Sequence, residues 1–253
     1  MNLEQKKQLT IKEVFDKFEK IHSYSFTTIN NDGYPEIRIA HFITYDEDGL
    51  YFMTMKVKPF YKQLVENNKV AACALIAADE EVTHDEDGLS YFPPGYYIRV
   101  SGDVRELSFE ELSEKANNDS KFDPLIKDIE RYPTMTTFVL HKFKGEVYDY
   151  DFSKINRDHK LERERFEFGG MEQSQAGFTI NPEKCISCGT CAKVCSFSAI
   201  IPGEKYSINP NRCDECGSCY SACPVNAIIA KSPLEESERK EFGKKIIAYS
   251  SSL

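Results

Sequence analysis

The sequence predicts a β-rich α+β protein: a small antiparallel barrel or sandwich with helical additions, followed by a compact cysteine-rich unit. Three observations lead there. About seven short strand-like segments upstream are separated by turn residues rather than by long helices. Strands and helices do not alternate regularly, and no Gly-x-Gly-x-x-Gly loop is present, which excludes a parallel doubly wound sheet. Eight of the nine cysteines are crowded between residues 185 and 223. The 253 residues leave room for one large domain or two modest ones.

In chain order, TIKEVFDKFEK places Ile11, Val14, Phe15 and Phe18 on one helical face, with Thr10 as its cap. YSFTTIN, PEIRIAHFITY and LYFMTMK then read as strands of antiparallel hairpins, turned at Asn31-Asp32-Gly33 and at the first Asp-Glu-Asp-Gly stretch, residues 46 to 49. A second such stretch spans 85 to 88; calcium is excluded at both, because position 12 of the loop offers Met55 or Pro94 in place of Glu. KPFYKQLVENN has helical spacing at Phe60, Leu64 and Val65, and VAACALIAA reads as a nearly continuous buried strand, with Cys73 as a small buried hydrophobe. A long strand, GYYIRVSGDVREL, follows Pro93-Pro94. Ser108 and Glu111 form a capping box for a helix reaching about Asn117, and FDPLIKDIERY reads as a second short helix. Residues 136 to 151 look like a closing hairpin around Lys144-Gly145. The polar stretch 153–177 is expected to be a linker between a domain over 1–152 and one over 178–231, and 232–253 a tail helix with a thin apolar stripe.

A formal charge of −9 opposes binding to nucleic acid or anionic membranes. No run approaches the ~18 apolar residues of a membrane helix, and MNLEQKKQLTIKEVF lacks a signal-peptide core, so a cytoplasmic location is expected. Without an export signal, the cysteine crowding points to metal rather than to disulfides.

CISCGTCAKVCSFSAI, residues 185–200, repeats as CDECGSCYSACPVNAI, residues 213–228, at an offset of 28. Each copy reads Cys-x2-Cys-x2-Cys-x3-Cys, in which three closely spaced thiolates wrap one iron–sulfur cubane and the fourth serves the other cubane. Cys185, Cys188, Cys191 and Cys223 would then hold one [4Fe-4S] cluster, and Cys213, Cys216, Cys219 and Cys195 the second. Gly189 and Gly217 would let backbone amides approach cluster sulfur, and Ala199-Ile200 and Ala227-Ile228 would pack over it. Zinc held by four cysteines is the alternative, but it normally uses separated Cys-x2-Cys pairs. The segment from about Phe178 to Ala230 resembles a bacterial two-[4Fe-4S] ferredoxin, with one departure: Pro224 follows the fourth cysteine of the second copy, whereas Ser196 stands in the first.

Upstream, Arg38, Lys56, Lys58, Lys62 and Arg99 collect cations that would suit a small anion, or simply form a solvated face. GYPEIRIAHF, GLYFMTMKVKPFYKQLVENNKVAACAL, YIRVSGDVREL and FVLHKFKGEVYDYDF, in that order, resemble the FMN-binding split barrel of the pyridoxamine 5′-phosphate oxidase-like superfamily over residues 8–152. The resemblance implies FMN contacts from Arg38, Ile39 and Thr54, from Lys56 and Tyr61, and phosphate binding by Lys58 and Lys62. It also implies a homodimer in which Arg99 and Ser101 act in the partner's site. The oxidase itself is a poor match, because its Trp- and Arg-containing substrate segment is missing from a chain without Trp. His41 is read as structural, with proton donation as the alternative. Together these signatures predict a flavo-iron–sulfur oxidoreductase passing electrons between two clusters and FMN, with a small-molecule or protein redox partner. A redox, iron or oxygen sensor and an electron carrier whose barrel only dimerises are the competing expectations.

Overall fold

A computed structural model describes residues 8–22, 24–77, 83–84, 86, 90–91, 95–149, 162–173 and 177–250. The chain divides into two compact units, one made of Met1–Glu80, Gly95–Val147 and Glu164–Gln173, the other of Glu81–Pro94, Tyr148–Arg163 and Ser174–Leu253.

The first unit begins with α1 (Ile11–Glu19), β1 (Tyr24–Ile29), β2 (Pro35–Ala40), β3 (Thr44–Asp46), β4 (Gly49–Met55), α2 (Pro59–Asn67) and β5 (Lys69–Ala77). The two-residue strands β6 (Thr83–His84) and β7 (Ser90–Tyr91), which fall in the second unit, pair only with each other among the described residues. Then come β8 (Gly95–Glu106), α3 (Phe109–Asn118), α4 (Asp123–Arg131), β9 (Met135–Asp149) and β10 (Glu162–Phe168). The main sheet runs β2-β1-β5-β8-β9-β4-β3, with β10 also on β9. β1 and β4 lie four strand steps apart, about 19 Å if the sheet were flat. Yet the Phe26 ring of β1 lies 5.2 Å from the Phe52 ring of β4. The sheet therefore curls round a shared aromatic core, which α1 and α2 join through Phe18 and Phe60. On its other side, Tyr51 and Val139 pack beneath Leu112, Phe122 and Leu125 of the α3–α4 region. The antiparallel, helix-decorated architecture that the sequence predicts is present.

Local signals set the helix starts. Thr10 and Ser108 each accept the N3 amide of Glu13 and Glu111, whose carboxylates accept the cap amides in return. Four expectations need correction. β5 alternates instead of being buried throughout: Val70, Ala72 and Ala74 enter the core, while Cys73 and Leu75 are exposed on the outer face. In α2, Gln63 is buried and Val65 exposed, because Gln63 is drawn inward by a hydrogen bond from Thr28. No hairpin forms at Lys144-Gly145, since β9 runs straight through; a Cβ on Gly145 would stand 2.4 Å from the Arg99 carbonyl oxygen and 2.5 Å from Phe166. That glycine serves close packing rather than a turn. Finally, the stretch expected as a linker contains β10, whose Phe166 is buried against Phe143. The second Asp-Glu-Asp-Gly stretch, Glu86 excepted, and residues 150–161 lie outside the described residues.

The second unit carries β11 (Thr179–Ile180), α5 (Thr190–Lys193), β12 (Ile200–Ile201), β13 (Ser207–Ile208), α6 (Ser218–Ala222), β14 (Ile228–Ile229) and α7 (Glu236–Ser250). β11 pairs with β14 and β12 with β13, so one ribbon joins the approach to the first copy to the end of the second, and the other joins the end of the first to the approach to the second.

Candidate functional site

Both cysteine loops bend in the same way. Ser187 and Glu215, Gly189 and Gly217, and Ser198 and Asn226 are paired at the 28-residue offset, and all six have positive φ. Non-glycine residues rarely adopt that conformation, and it recurs where a loop wraps a bound group with its amides turned inward. Gly189 and Gly217 end the loops and start α5 and α6, the short helices that carry Cys191 and Cys219. The fourth cysteine of each copy accepts a backbone amide at 3.3 Å, from Ala199 to Cys195 Sγ and from Ala227 to Cys223 Sγ. Ala199, Ile200, Ala227 and Ile228 are all buried.

The thiols gather across the repeat. Cys185, Cys188 and Cys191 of the first copy line one cavity of about 20 Å³ together with Cys223 of the second. Around Cys219, the charges of Cys213, Cys195 and Cys216 are close enough, after burial, to help push its thiol up to about 12. Burial also raises the thiols of Cys191 and Cys213. By contrast, backbone amides of Tyr206 and Ser187 lower Cys185, and the Thr190 hydroxyl lowers Cys188. Such crowding of buried thiols is unfavourable unless a cation displaces their protons. Among the described residues, no three His, Cys, Asp or Glu side chains are grouped tightly enough for a single metal ion. A cubane spreads its thiolates round a larger cage, so the donor chemistry fits iron–sulfur clusters.

Residues 178–224 match the family described as 4Fe-4S dicluster domain. This segment is a ferredoxin-type iron–sulfur domain. The dicluster domain makes the chain a redox, electron-transfer protein. No curated protein matches the sequence. Among solved structures, a NimC/NimA family protein from Clostridium acetobutylicum is similar at 17% identity and TM-score 0.43, over 62% of this chain and 92% of that one. PhzG from Burkholderia lata, in complex with tetrahydrophenazine-1-carboxylic acid, has 14% identity and TM-score 0.40, over 62% and 81%. A pyridoxamine 5′-phosphate oxidase-related, FMN-binding protein from Nostoc punctiforme has 14% identity and TM-score 0.35, over 62% and 94%.

The residues expected at a flavin are distributed over three places in the first unit. Arg38 points inward, donating to Thr28 at 2.6 Å, Gln63 at 2.9 Å and Glu36 at 3.2 Å, with its guanidinium over the Phe60 ring. Thr54 is likewise buried, opposite Thr136 in the ladder. Lys56 pairs with Glu106 at 3.0 Å, and Tyr61 donates to the same carboxylate at 3.1 Å. Burial alone would raise the Glu106 carboxyl; hydrogen bonds from Thr136, Lys56 and Tyr61 outweigh it and hold the group below its ordinary value. An open cavity of about 600 Å³ adjoins Lys56, Glu106, Ser108 and Thr136. Lys58 caps the start of α2, and Lys62 pairs weakly with Glu66 one turn on. Ile39, Arg99 and Ser101 lie on the outer face of β2-β1-β5-β8, where Ile39, Ser25, Cys73 and Arg99 form one cross-strand row. Arg99 also pairs with Glu146 at 2.7 Å.

Sequence reasoning missed several site residues. Lys205 donates to the Cys185 carbonyl at 2.6 Å, and Arg239 grips the Tyr220 carbonyl between Cys219 and Cys223. Neither belongs to a motif. Glu106, the hub for Lys56, Tyr61 and Thr136, was hidden in an ordinary strand end.

Proposed function

We propose that the chain is a flavo-iron–sulfur oxidoreductase. Its metal ligands are Cys185, Cys188, Cys191 and Cys223 for one cluster, and Cys213, Cys216, Cys219 and Cys195 for the other. The single observation that carries this reading is the shared cavity lined by three thiols of one copy and the fourth of its twin. When bound, the clusters supply one-electron transfer and FMN couples it to one- or two-electron chemistry on a small-molecule or protein partner. The chain's own groups then have defined tasks. The thiolates fix iron, the Ala199 and Ala227 amides hydrogen-bond sulfur, and buried Ile200 and Ile228 keep water away.

For FMN, the fit is chemical rather than complete within one chain. Lys58 and Lys62, with the amides that open α2, offer donors for its phosphate, while Lys56 and Tyr61 stand nearby around Glu106. Ile37, Ile39 and Leu75 leave the outer sheet face apolar and exposed. A second copy covers that face in a homodimer, carrying Arg99 and Ser101 to the partner's flavin. Residues 1–152 form the flavin domain and 178–231 the cluster domain, and free thiols in this number suit the reducing cytoplasm.

The test is anaerobic purification followed by cofactor and size analysis. About eight iron and eight sulfide per chain are expected for two cubanes, with FMN released on denaturation, sedimentation as a dimer and flavin reduction through the clusters. Clusters that never exchange electrons with bound flavin would refute the oxidoreductase. Zinc in place of iron would refute the cluster assignment.

A further inference from the structure

The last helix is tied to the α6 helix of the second copy at a carbonyl that Pro224 cannot serve. In a continuing helix, the Tyr220 carbonyl would accept the amide four residues on, but that residue is Pro224, which has no N–H. In the first copy the matching carbonyl, Ala192 O, accepts from Cys195 N at 3.4 Å. In the second copy the side chain of Arg239 takes over. Its Nε and Nη2 donate to Tyr220 O at 2.9 and 2.6 Å, and its guanidinium lies 4.2 Å from the centre of the Tyr220 ring.

The fit around this contact is close. Arg239 is 7% exposed, an unusual burial for a cation whose acceptor is a neutral carbonyl. Gly243, one turn later, is buried, and a Cβ there would come within 2.3 Å of the Ser221 carbonyl oxygen. A larger residue would therefore lift α7 from α6. On α7, Glu236 pairs with Lys240 at 2.6 Å while also lying within electrostatic reach of Arg239, and Glu241 pairs with Lys245 at 2.7 Å.

We propose that α7 is a strap built into the cluster domain, and that Arg239 is a positioning residue that caps α6 and fixes a buried positive charge on the Tyr220 carbonyl, next in sequence to Cys219 and three residues from Cys223. The inference rests on the dicluster reading. A fixed cation favours the more negative, reduced form of a neighbouring cluster, so it raises the potential at which that cluster accepts one electron. A cap on the carbonyl end of α6 also holds both ligand cysteines in place.

The experiment uses the full-length holoprotein, purified without oxygen, with iron and sulfide measured in every variant and midpoint potentials taken by EPR-monitored titration. Arg239→Gln is expected to lower at least one cluster midpoint by about a tenfold change in the reduction equilibrium, about 59 mV for one electron. It should also shorten the time to iron release by a chelator. Arg239→Lys, which keeps the charge, should stay close to the wild type in potential. Gly243→Leu, which leaves Arg239 intact but dislodges the helix, should reproduce the shift of Arg239→Gln. Unchanged midpoints in cluster-loaded Arg239→Gln, or an equal shift in Arg239→Lys, would overturn the role of the charge. If Arg239→Gln loses its clusters, an unmoved midpoint in Gly243→Leu overturns that role as well. A wild-type chain without iron and sulfide would instead sink the dicluster reading itself, and the strap's role with it.

Discussion

Lys115 shows how much a single side chain can fix without belonging to any motif. Its ammonium reaches Asp46 at 2.7 Å and Asp48 at 2.6 Å, clamping the β3–β4 turn from α3. Burial alone would lower its affinity for the proton; hydrogen bonds to Asp46, Asp48 and Tyr51 reverse that and raise it above the ordinary lysine value. Asp48 is correspondingly held below the ordinary carboxylate value by Lys115. Because the folded pKa of Asp48 lies below its unfolded one, its contribution is present above about pH 4 and fades as the pH falls through the lowered value. For Lys115 the sign is opposite: the contribution is complete below its unfolded pKa of about 10.4 and is lost as the pH rises through the folded one. Lys115→Met should cost roughly 1–3 kcal/mol in urea unfolding at neutral pH, since it removes the ammonium from the largely buried Asp46, leaving it with donors from the Tyr51 hydroxyl and the Asp48 amide. A loss below about 0.5 kcal/mol, the usual range for a surface change, would show that the clamp is ornamental. The turn itself was legible, because Asp-Glu-Asp-Gly is turn chemistry whatever surrounds it. The lysine was not, since a charge on a helix face reads as solvated until the fold supplies its partners. The cysteines stand at the other extreme: their chemistry demands a spacing, so the spacing announces the chemistry. Arg239 resembles Lys115 in this respect.

At the level of elements, β10 is the instructive omission. Strands are recognised by apolar residues alternating with polar ones, but ERERFEF carries charge at five of its seven positions. Arg163 is buried as well as Phe166, and it pairs with Glu215 at 3.3 Å while Arg165 pairs with Glu146 at 3.4 Å. Ion pairing thus replaces the apolar alternation that would have marked the strand. The error at Lys144-Gly145 is the same event seen from β9: the glycine makes room for the Phe166 ring, and without β10 in view it could only be read as a turn. Phe166→Ala should destabilise the first unit by roughly 3–5 kcal/mol, the usual cost of deleting a buried Phe, with loss of hydrogen-exchange protection along β9. A Phe166→Ala protein as stable as the wild type in guanidinium would mean that β10 is not part of this core. The capped helices at Thr10 and Ser108 and the turns at Asn31-Asp32-Gly33 and residues 46–49 are legible for the converse reason. Their signals lie within about four residues of one another and need no distant partner.

Over the whole molecule, the two units rest on different physics. The first encloses a broad apolar core of Phe, Tyr, Leu, Ile and Val side chains drawn from its strands and from α1 and α2. The second has a much smaller core, in which Cys191 and Cys219 pack with Val194, Ile200, Tyr220, Ala222 and Ile228. So little apolar surface rarely holds a segment the size of 178–231 without a metal or a disulfide, and all eight of its cysteines are free. Metal binding there is part of folding free energy rather than an addition to it. Under the proposed ligand assignment the fourth cysteine of each copy completes the other copy's set, so neither half would release its iron independently. Stripping iron anaerobically with a strong chelator should therefore abolish amide protection over residues 179–229 in one step, while β5 and β8 of the first unit keep theirs. Cys223→Ala should have the same reach, since it opens the site built on the first copy although it lies in the second. Graded loss of protection, the first copy melting while the second persists, would show that the two halves fold separately and that the interleaved ligand assignment is wrong.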